Sequence, residues 1–208
     1  MNYKIIPSVI AKSQKELDER FSKISSLSKT IHLDFLDGKF VKTHSLDFDF
    51  NTESPKNYEA HLMIKNPEPW IRDNAKNTKT IFFHFESTKS PEKIIKLIKS
   101  KKRKVGIAIN PKTPSKKIFP FLKQVDVILV MTVNPGHYGA KFLPSMLNKI
   151  SEIRKADKKI NIQVDGGVNE KTLKQLKKAG ANQFVVGSYL QNSKNKKRSY
   201  NKLKSIIS

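Results

Sequence analysis

Short apolar runs alternate with longer amphipathic stretches along the whole chain, and this alternation narrows the possible folds more than any other feature. The runs YKIIPSV, TIHLDF, YEAHLMI, TIFFHFE, KVGIAIN, DVILVMT, NIQVDGG and NQFVVGSYL have strand length and are rich in β-branched or aromatic residues. Between them, QKELDERFSKISSLS, PEPWIRDNAKN, PEKIIKLIKSKK, TPSKKIFPFLKQ, LPSMLNKISEIRKA, EKTLKQLKKAG and a last stretch ending in YNKLKSIIS read as helices. The second connection, VKTHSLDFDFNTESPKNY, has no helical stripe and predicts an irregular loop with at most a turn of helix. Eight strand-plus-connection units of about 26 residues each fill the 208 residues. Such alternation implies parallel strands joined by right-handed crossovers, and eight of them close into an α/β fold, the (β/α)8 TIM barrel, with residues 1–208 as a single domain. The rival, a doubly wound open sheet, predicts fewer strands. If it bound a dinucleotide it would also carry GxGxxG after the first strand, which this sequence lacks.

Composition removes several classes of function. With 37% hydrophobic residues the chain can bury a sizeable core, but no run reaches the roughly 18 to 20 apolar residues that a membrane helix needs. The start, MNYKIIPSVIAKS, lacks the apolar stretch of a signal peptide, so a cytoplasmic protein without membrane contact is expected. Cysteine is absent, which excludes disulfides, thiolate metal sites and cysteine nucleophiles. The net charge of +23 raises the question of nucleic acid. The lysines, however, are spread over helical segments with few aromatics among them, which reads as a solvated exterior, with electrostatic guidance of a phosphorylated metabolite as the alternative.

In a barrel of this kind, functional side chains sit at the carboxyl ends of the strands. Ser8 ends the first strand, His32 and Asp34 the second, His61 and Met63 the third, Met131 the sixth and Asp165 the seventh. Side chains alternate faces along a strand, so His32 and Asp34 point the same way. In isolation this pair is either a mutually satisfied core pair or a site, and Asp165 before two glycines is either a turn residue or a site. Convergence of His32, Asp34, His61 and Asp165 favours a site. These are ligand types for one divalent ion, whether Zn²⁺, Fe²⁺, Co²⁺ or Mn²⁺. Asp34 and Asp165, on strands far apart in order, can also serve as bases on opposite sides of a substrate, with the cation stabilising an enediolate. NPGHYG at 134–139, DGG at 165–167 and VGS at 186–188 follow the last three strands and point to phosphate binding by backbone N–H groups and Ser188. Asp37 reads as a turn residue, and His44 and His137 as surface or lid residues.

PSVIA, IHLDFLDGKF, AHLM, VILVMTVNPG and VDGGV, in this order and spacing, resemble the ribulose-phosphate 3-epimerase family from Pro7 to about Leu190. The resemblance implies a TIM barrel of the ribulose-phosphate-binding type. It also implies an isomerase that interconverts D-ribulose 5-phosphate and D-xylulose 5-phosphate, an epimerase of carbohydrate metabolism in the pentose phosphate pathway or the Calvin cycle. His32, Asp34, His61 and Asp165 would bind the metal, with Asp34 as proton acceptor and Asp165 as donor. Ser8, His61, Gly136, His137, Tyr138, Gly139, Gly166, Gly167, Gly187 and Ser188 would surround the substrate or its phosphate. Met63 and Met131 would line the cavity, with Leu36 where the family usually has Met. Tyr138, Ala140, Lys42 and Thr43 also depart from the usual pattern, and a homo-oligomer is the expected assembly. His84, in FFHFES, is expected at the cavity wall or in a hydrogen bond behind the site. Two other functions compete: an epimerase for a related ketose phosphate such as D-allulose 6-phosphate, and a basic nucleic-acid-binding protein with a vestigial site.

Overall fold

The computed structural model describes residues 2–52, 57–136 and 139–208. Eight strands run parallel around a closed barrel: β1 (Lys4–Val9), β2 (Thr30–Asp37), β4 (Asn57–Met63), β5 (Thr80–His84), β6 (Lys104–Ile109), β7 (Val127–Met131), β8 (Asn161–Asp165) and β9 (Gln183–Val186). β1 closes the ring by pairing with both β2 and β9. The expected eight-stranded barrel is therefore present.

The second connection differs from expectation in one respect. It contains β3 (His44–Ser45), which pairs antiparallel with Leu36 and Asp37. A two-residue bridge is too short to leave a periodic trace in sequence. The stretch 113–124 is also not an α-helix. It folds as a 3-10 helix over Ser115–Phe121 with Pro120 inside it, and a proline there removes a backbone donor and crowds the preceding turn. The segment after β9 turns at once into a short helix, α6 (Ser188–Gln191), so only Gln183–Val186 of NQFVVGSYL is strand.

The remaining helices are α1 (Gln14–Ser22), α2 (Glu68–Asn74), α3 (Pro91–Ser100), α4 (Met146–Ala156), α5 (Glu170–Ala179) and α7 (Lys196–Ile207). Local chemistry fixes their ends. The Asn169 side chain accepts from the backbone N–H groups of Lys171 and Thr172 at the start of α5, while Thr172 Oγ1 accepts from the Asn169 N–H. Pro91 opens α3, where its missing N–H is not needed.

Apolar side chains pack in two layers. The larger core lies between strands and helices, where Ile31, Leu33, Ile162 and Val164 of the strands meet Ile94, Ile98, Leu173 and Leu176 of the helices. A smaller cluster inside the barrel is formed by Phe82, Ala108, Val127, Leu129, Met131, Val133 and Val185. The interior also holds fully buried His32, His61, His84 and Gln163. Because most apolar burial is assigned to the outer layer, the barrel axis can hold a polar cluster.

Candidate active site

Parallel register brings the site together. On the β2–β4 pair, His32 stands opposite Glu59 and Asp34 opposite His61; on the β7–β8 pair, Met131 stands opposite Asp165. His61 Nδ1 lies 2.9 Å from Asp34 Oδ1 and 3.6 Å from Asp165 Oδ2, and His32 Nε2 lies 3.5 Å from Asp34 Oδ1. The four residues each direct one ligand atom into a space where these atoms all lie within 4.8 Å of one another.

The donor set fits a divalent cation. His32 Nε2 is buried with no hydrogen-bond partner, although it faces the Asp34 carboxylate. A buried ring nitrogen without a hydrogen bond is costly unless something else engages it. Ligands around a tetrahedral ion at about 2.0–2.2 Å stand roughly 3.3–3.6 Å apart, a range that holds the His32–Asp34 and His61–Asp165 separations of 3.5 and 3.6 Å. Behind the ligands, Glu59 Oε2 lies 3.1 Å from His32 Nδ1 and accepts from Gln163 Nε2 at 2.8 Å. His84 Nε2 lies 2.9 Å from His61 Nε2. Such partners fix the orientation of the rings.

The electrostatics separate the two carboxylates. Burial opposes charge on Asp34, but hydrogen bonds and attraction from His32 and His61 outweigh it and hold its carboxyl below the ordinary range. Asp165 is pushed above that range by burial, then by the negative charge of Asp34. Burial works against a charged His32, yet the Asp34 and Glu59 acceptors raise it to about 10. For His61, burial outweighs the pull of Asp34 and lowers it to about 4. One carboxylate thus stays ionised while its neighbour favours the protonated form, the arrangement that assigns base and acid roles within a pair.

The cavity above the cluster is lined by Ser8, Asp34, Leu36, Met63, Met131, Gly136, Gly139, Asp165, Gly166, Gly167, Gly187 and Ser188, all expected site residues. Ile10, Val133, Pro135, Ala140, Val168 and Val185 also line it and were not expected there. His61 sits beneath, fully buried. His137 and Tyr138 lie outside the described residues. Gly166 and Gly167 have φ of +112 and +65; a Cβ on Gly166 would stand 2.4 Å from Val133 Cγ2, and one on Gly167 2.9 Å from Phe142 Cβ. Only glycine suits both positions, which keeps this loop close to the mouth. Thr43 donates its hydroxyl to the Gly136 carbonyl, so one of the departing residues ties the β2 loop to the β7 loop.

Asp37 is the last residue of β2 and not beyond the strand as expected, but its carboxylate accepts from the backbone N–H groups of Lys39, Phe40 and Lys65 and so braces the turn that follows. His44 is exposed and pairs with Asp47. Glu59, Gln163 and Glu86 are supporting residues that the motif reading passed over. Glu59 and Gln163 stand two places before His61 and Asp165 on inward positions of apolar strands, and Glu86 stands two places after His84. A polar residue at an inward position was the available signal.

Comparison with known proteins gives concordant results. The model of the ribulose-phosphate 3 epimerase family matches residues 4–191. Ribulose-phosphate 3-epimerase of Eremothecium gossypii is 34% identical over 201 residues, covering 88% of this chain and 84% of that protein. The enzyme of the same name from Buchnera aphidicola is 39% identical over 201 residues, covering 90% and 88%. Among solved structures, 3-hexulose-6-phosphate synthase from Salmonella typhimurium superposes with a TM-score of 0.69 at 13% identity over 98% of each chain, a likeness of fold.

Proposed function

Since the chain belongs to the ribulose-phosphate 3-epimerase family, we propose that it interconverts D-ribulose 5-phosphate and D-xylulose 5-phosphate by two-base proton transfer at carbon 3. One observation carries this reading: Asp34 and Asp165 both approach His61 Nδ1, at 2.9 and 3.6 Å, with their acidities driven in opposite directions.

Ionised Asp34 takes the proton from carbon 3, and the C–H electron pair moves into the enediolate, leaving negative charge on the carbon 2 oxygen. Protonated Asp165 then delivers its proton to the opposite face of carbon 3, and the enediolate returns its electron pair to the new C–H bond. Asp34 ends protonated and Asp165 ionised, so the same pair runs the reverse reaction. A carboxylate is a weak base toward carbon, so the enediolate must be strongly stabilised. When bound by His32, Asp34, His61 and Asp165, a divalent ion supplies that stabilisation as a Lewis acid; Zn²⁺, Fe²⁺, Mn²⁺ and Co²⁺ all suit nitrogen and oxygen ligands. The walls of Leu36, Met63 and Met131 exclude water from the enediolate. The amides around Gly139, Gly166, Gly167 and Gly187, with Ser188, receive the phosphate.

The test is turnover in D₂O with each ion supplied in turn. The expected product is xylulose 5-phosphate with one deuterium at carbon 3, formed faster than the six-carbon equivalent from D-allulose 6-phosphate. Product without deuterium overturns the proton-transfer reading, and preference for the six-carbon ketose overturns the substrate.

A further inference from the structure

We propose that Thr43 latches the β2–β3 hairpin to the β7 loop across the mouth of the barrel, and that this contact opens each time the sugar phosphate enters or leaves. Thr43 is thus a positioning residue, and the inference rests on the epimerase reading of the site.

Strand order puts the two loops on opposite sides of the ring. From β2 the sheet runs through β4, β5 and β6 to β7 in one direction, and through β1, β9 and β8 to β7 in the other. A contact between the loops that leave β2 and β7 therefore lies over the mouth. The Thr43 hydroxyl makes that contact by donating to the Gly136 carbonyl. Val41 closes in beside it: a Cβ built on Gly136 would stand 3.7 Å from Val41 Cβ and 3.7 Å from Thr43 Oγ1. Phe40 leans the same way, its ring centroid 4.7 Å from that of buried His84 at the end of β5.

The hairpin presents Thr43 from a braced backbone. Leu36 pairs with Ser45 and Asp37 with His44, the Gly38 N–H donates to the Thr43 carbonyl at 3.2 Å, and the Asp37 carboxylate holds three backbone N–H groups. Beneath the contact the cavity has a volume of about 70 Å³, well under the roughly 300 Å³ at which ligand cavities begin. Leu36 lines it from the hairpin side, and Pro135 and Gly136 from the β7 side. A phosphate on five carbons needs these walls to part. Parting them breaks the Thr43–Gly136 hydrogen bond, so the balance of joined and open forms sets how fast a ligand is captured and released.

Two variants test the latch from opposite directions. Thr43→Val removes the hydroxyl at nearly constant shape, and Thr43→Ser keeps it. Association and dissociation of D-xylitol 5-phosphate, a polyol that cannot form the enediolate, would be followed on the Zn²⁺-loaded proteins by ³¹P NMR exchange. In T43V both rates should rise by about 2- to 10-fold, the population change that one net hydrogen bond accounts for, with their ratio unchanged, and T43S should match the wild type. The second variant, V41C/G136C, locks the contact. Its 3.7 Å Cβ separation suits a disulfide, and the chain has no other cysteine to compete. Turnover of ribulose 5-phosphate should be lost on oxidation with glutathione disulfide and restored by a phosphine reductant. Comparing the two redox states of one protein cancels the cost of replacing Gly136.

Unchanged rates in T43V, or a rise in dissociation alone, overturn the latch and leave the epimerase reading standing. Equal turnover of oxidised and reduced V41C/G136C does the same. Failure of the wild type to turn over ribulose 5-phosphate overturns the epimerase reading, and the inference with it. Should the introduced thiols not pair, the T43V rates decide alone; should T43V not fold, the disulfide decides.

Discussion

Asp34 and His61 are register partners on adjacent parallel strands, and the Asp34 carboxylate approaches the His61 ring at 2.9 Å within the barrel. The same carboxylate is the nearer of two that flank this imidazole, since Asp165 lies 3.6 Å from the same nitrogen. Strand pairing, and not loop conformation, therefore sets the spacing of Asp34 and His61.

Asp34→Asn and Asp165→Asn should each lower epimerisation by at least about 100-fold, the lower end of what a positioned proton-transfer group contributes. Neither change alters side-chain volume appreciably, so the circular dichroism spectrum should be retained. Ketose interconversion at more than a tenth of the wild-type rate in either variant would sink the two-base assignment.

Chelation should abolish turnover, and Zn²⁺ at 100 times its Kd should raise stability by about 2.7 kcal/mol. His32→Asn should lose most of that rise. The buried imidazole of His32 is held charged up to about pH 10 because the Asp34 and Glu59 acceptors outweigh its burial. A cation must displace that proton, so the proton competes at lower pH and the competition fades as pH approaches 10. Apparent Zn²⁺ affinity should therefore rise with pH through the neutral range, and a flat profile would contradict this.

Gly106 makes room for Phe82. A Cβ at position 106 would stand 2.2 Å from Phe82 Cδ1, and the Phe82 ring in turn lies 5.6 Å from that of His32. Gly106→Ala should destabilise by about 1–3 kcal/mol through overpacking, measured by urea denaturation. Adding Phe82→Leu should recover part of that loss, because the two sites share one volume. Additive losses would show that the clash is relieved elsewhere.

Much of this was legible in the sequence because two periodicities carried it. Alternation of short apolar runs with helices gave the barrel, and the strand-end rule brought His32, Asp34, His61 and Asp165 together. Which atoms meet was not legible, since Gln163 and His32 are 131 positions apart and only barrel closure brings them to 3.3 Å. The polar residues Glu59 and Gln163 were hidden for a related reason. Each occupies an inward position where an apolar side chain would fit equally well, and only the neighbouring imidazole explains it. The segment 113–124 misled because its apolar spacing suits a helix, while Pro120 prevents an α-helix.

Asp157 should govern part of the acid sensitivity of the fold. Its carboxylate accepts from Lys123 Nζ at 2.9 Å and from the backbone N–H groups of Lys159 and Ile160 at 2.7 and 3.0 Å. Lys123, followed by the Lys159 N–H, lowers it to about 2 from an ordinary value near 4, against an opposing effect of burial. A group more acidic in the folded chain than in the unfolded one stabilises the fold above its unfolded value, and that contribution is lost as pH falls toward its folded value. Asp157→Asn should therefore lower the urea midpoint at pH 6, with the difference from wild type shrinking between about pH 4 and pH 2. Lys123 is itself exposed, so Lys123→Ala should have the smaller effect, with the two backbone donors still holding the carboxylate. A deficit in Asp157→Asn that stays constant down to pH 2 would show that the side chain acts through its shape and not its charge.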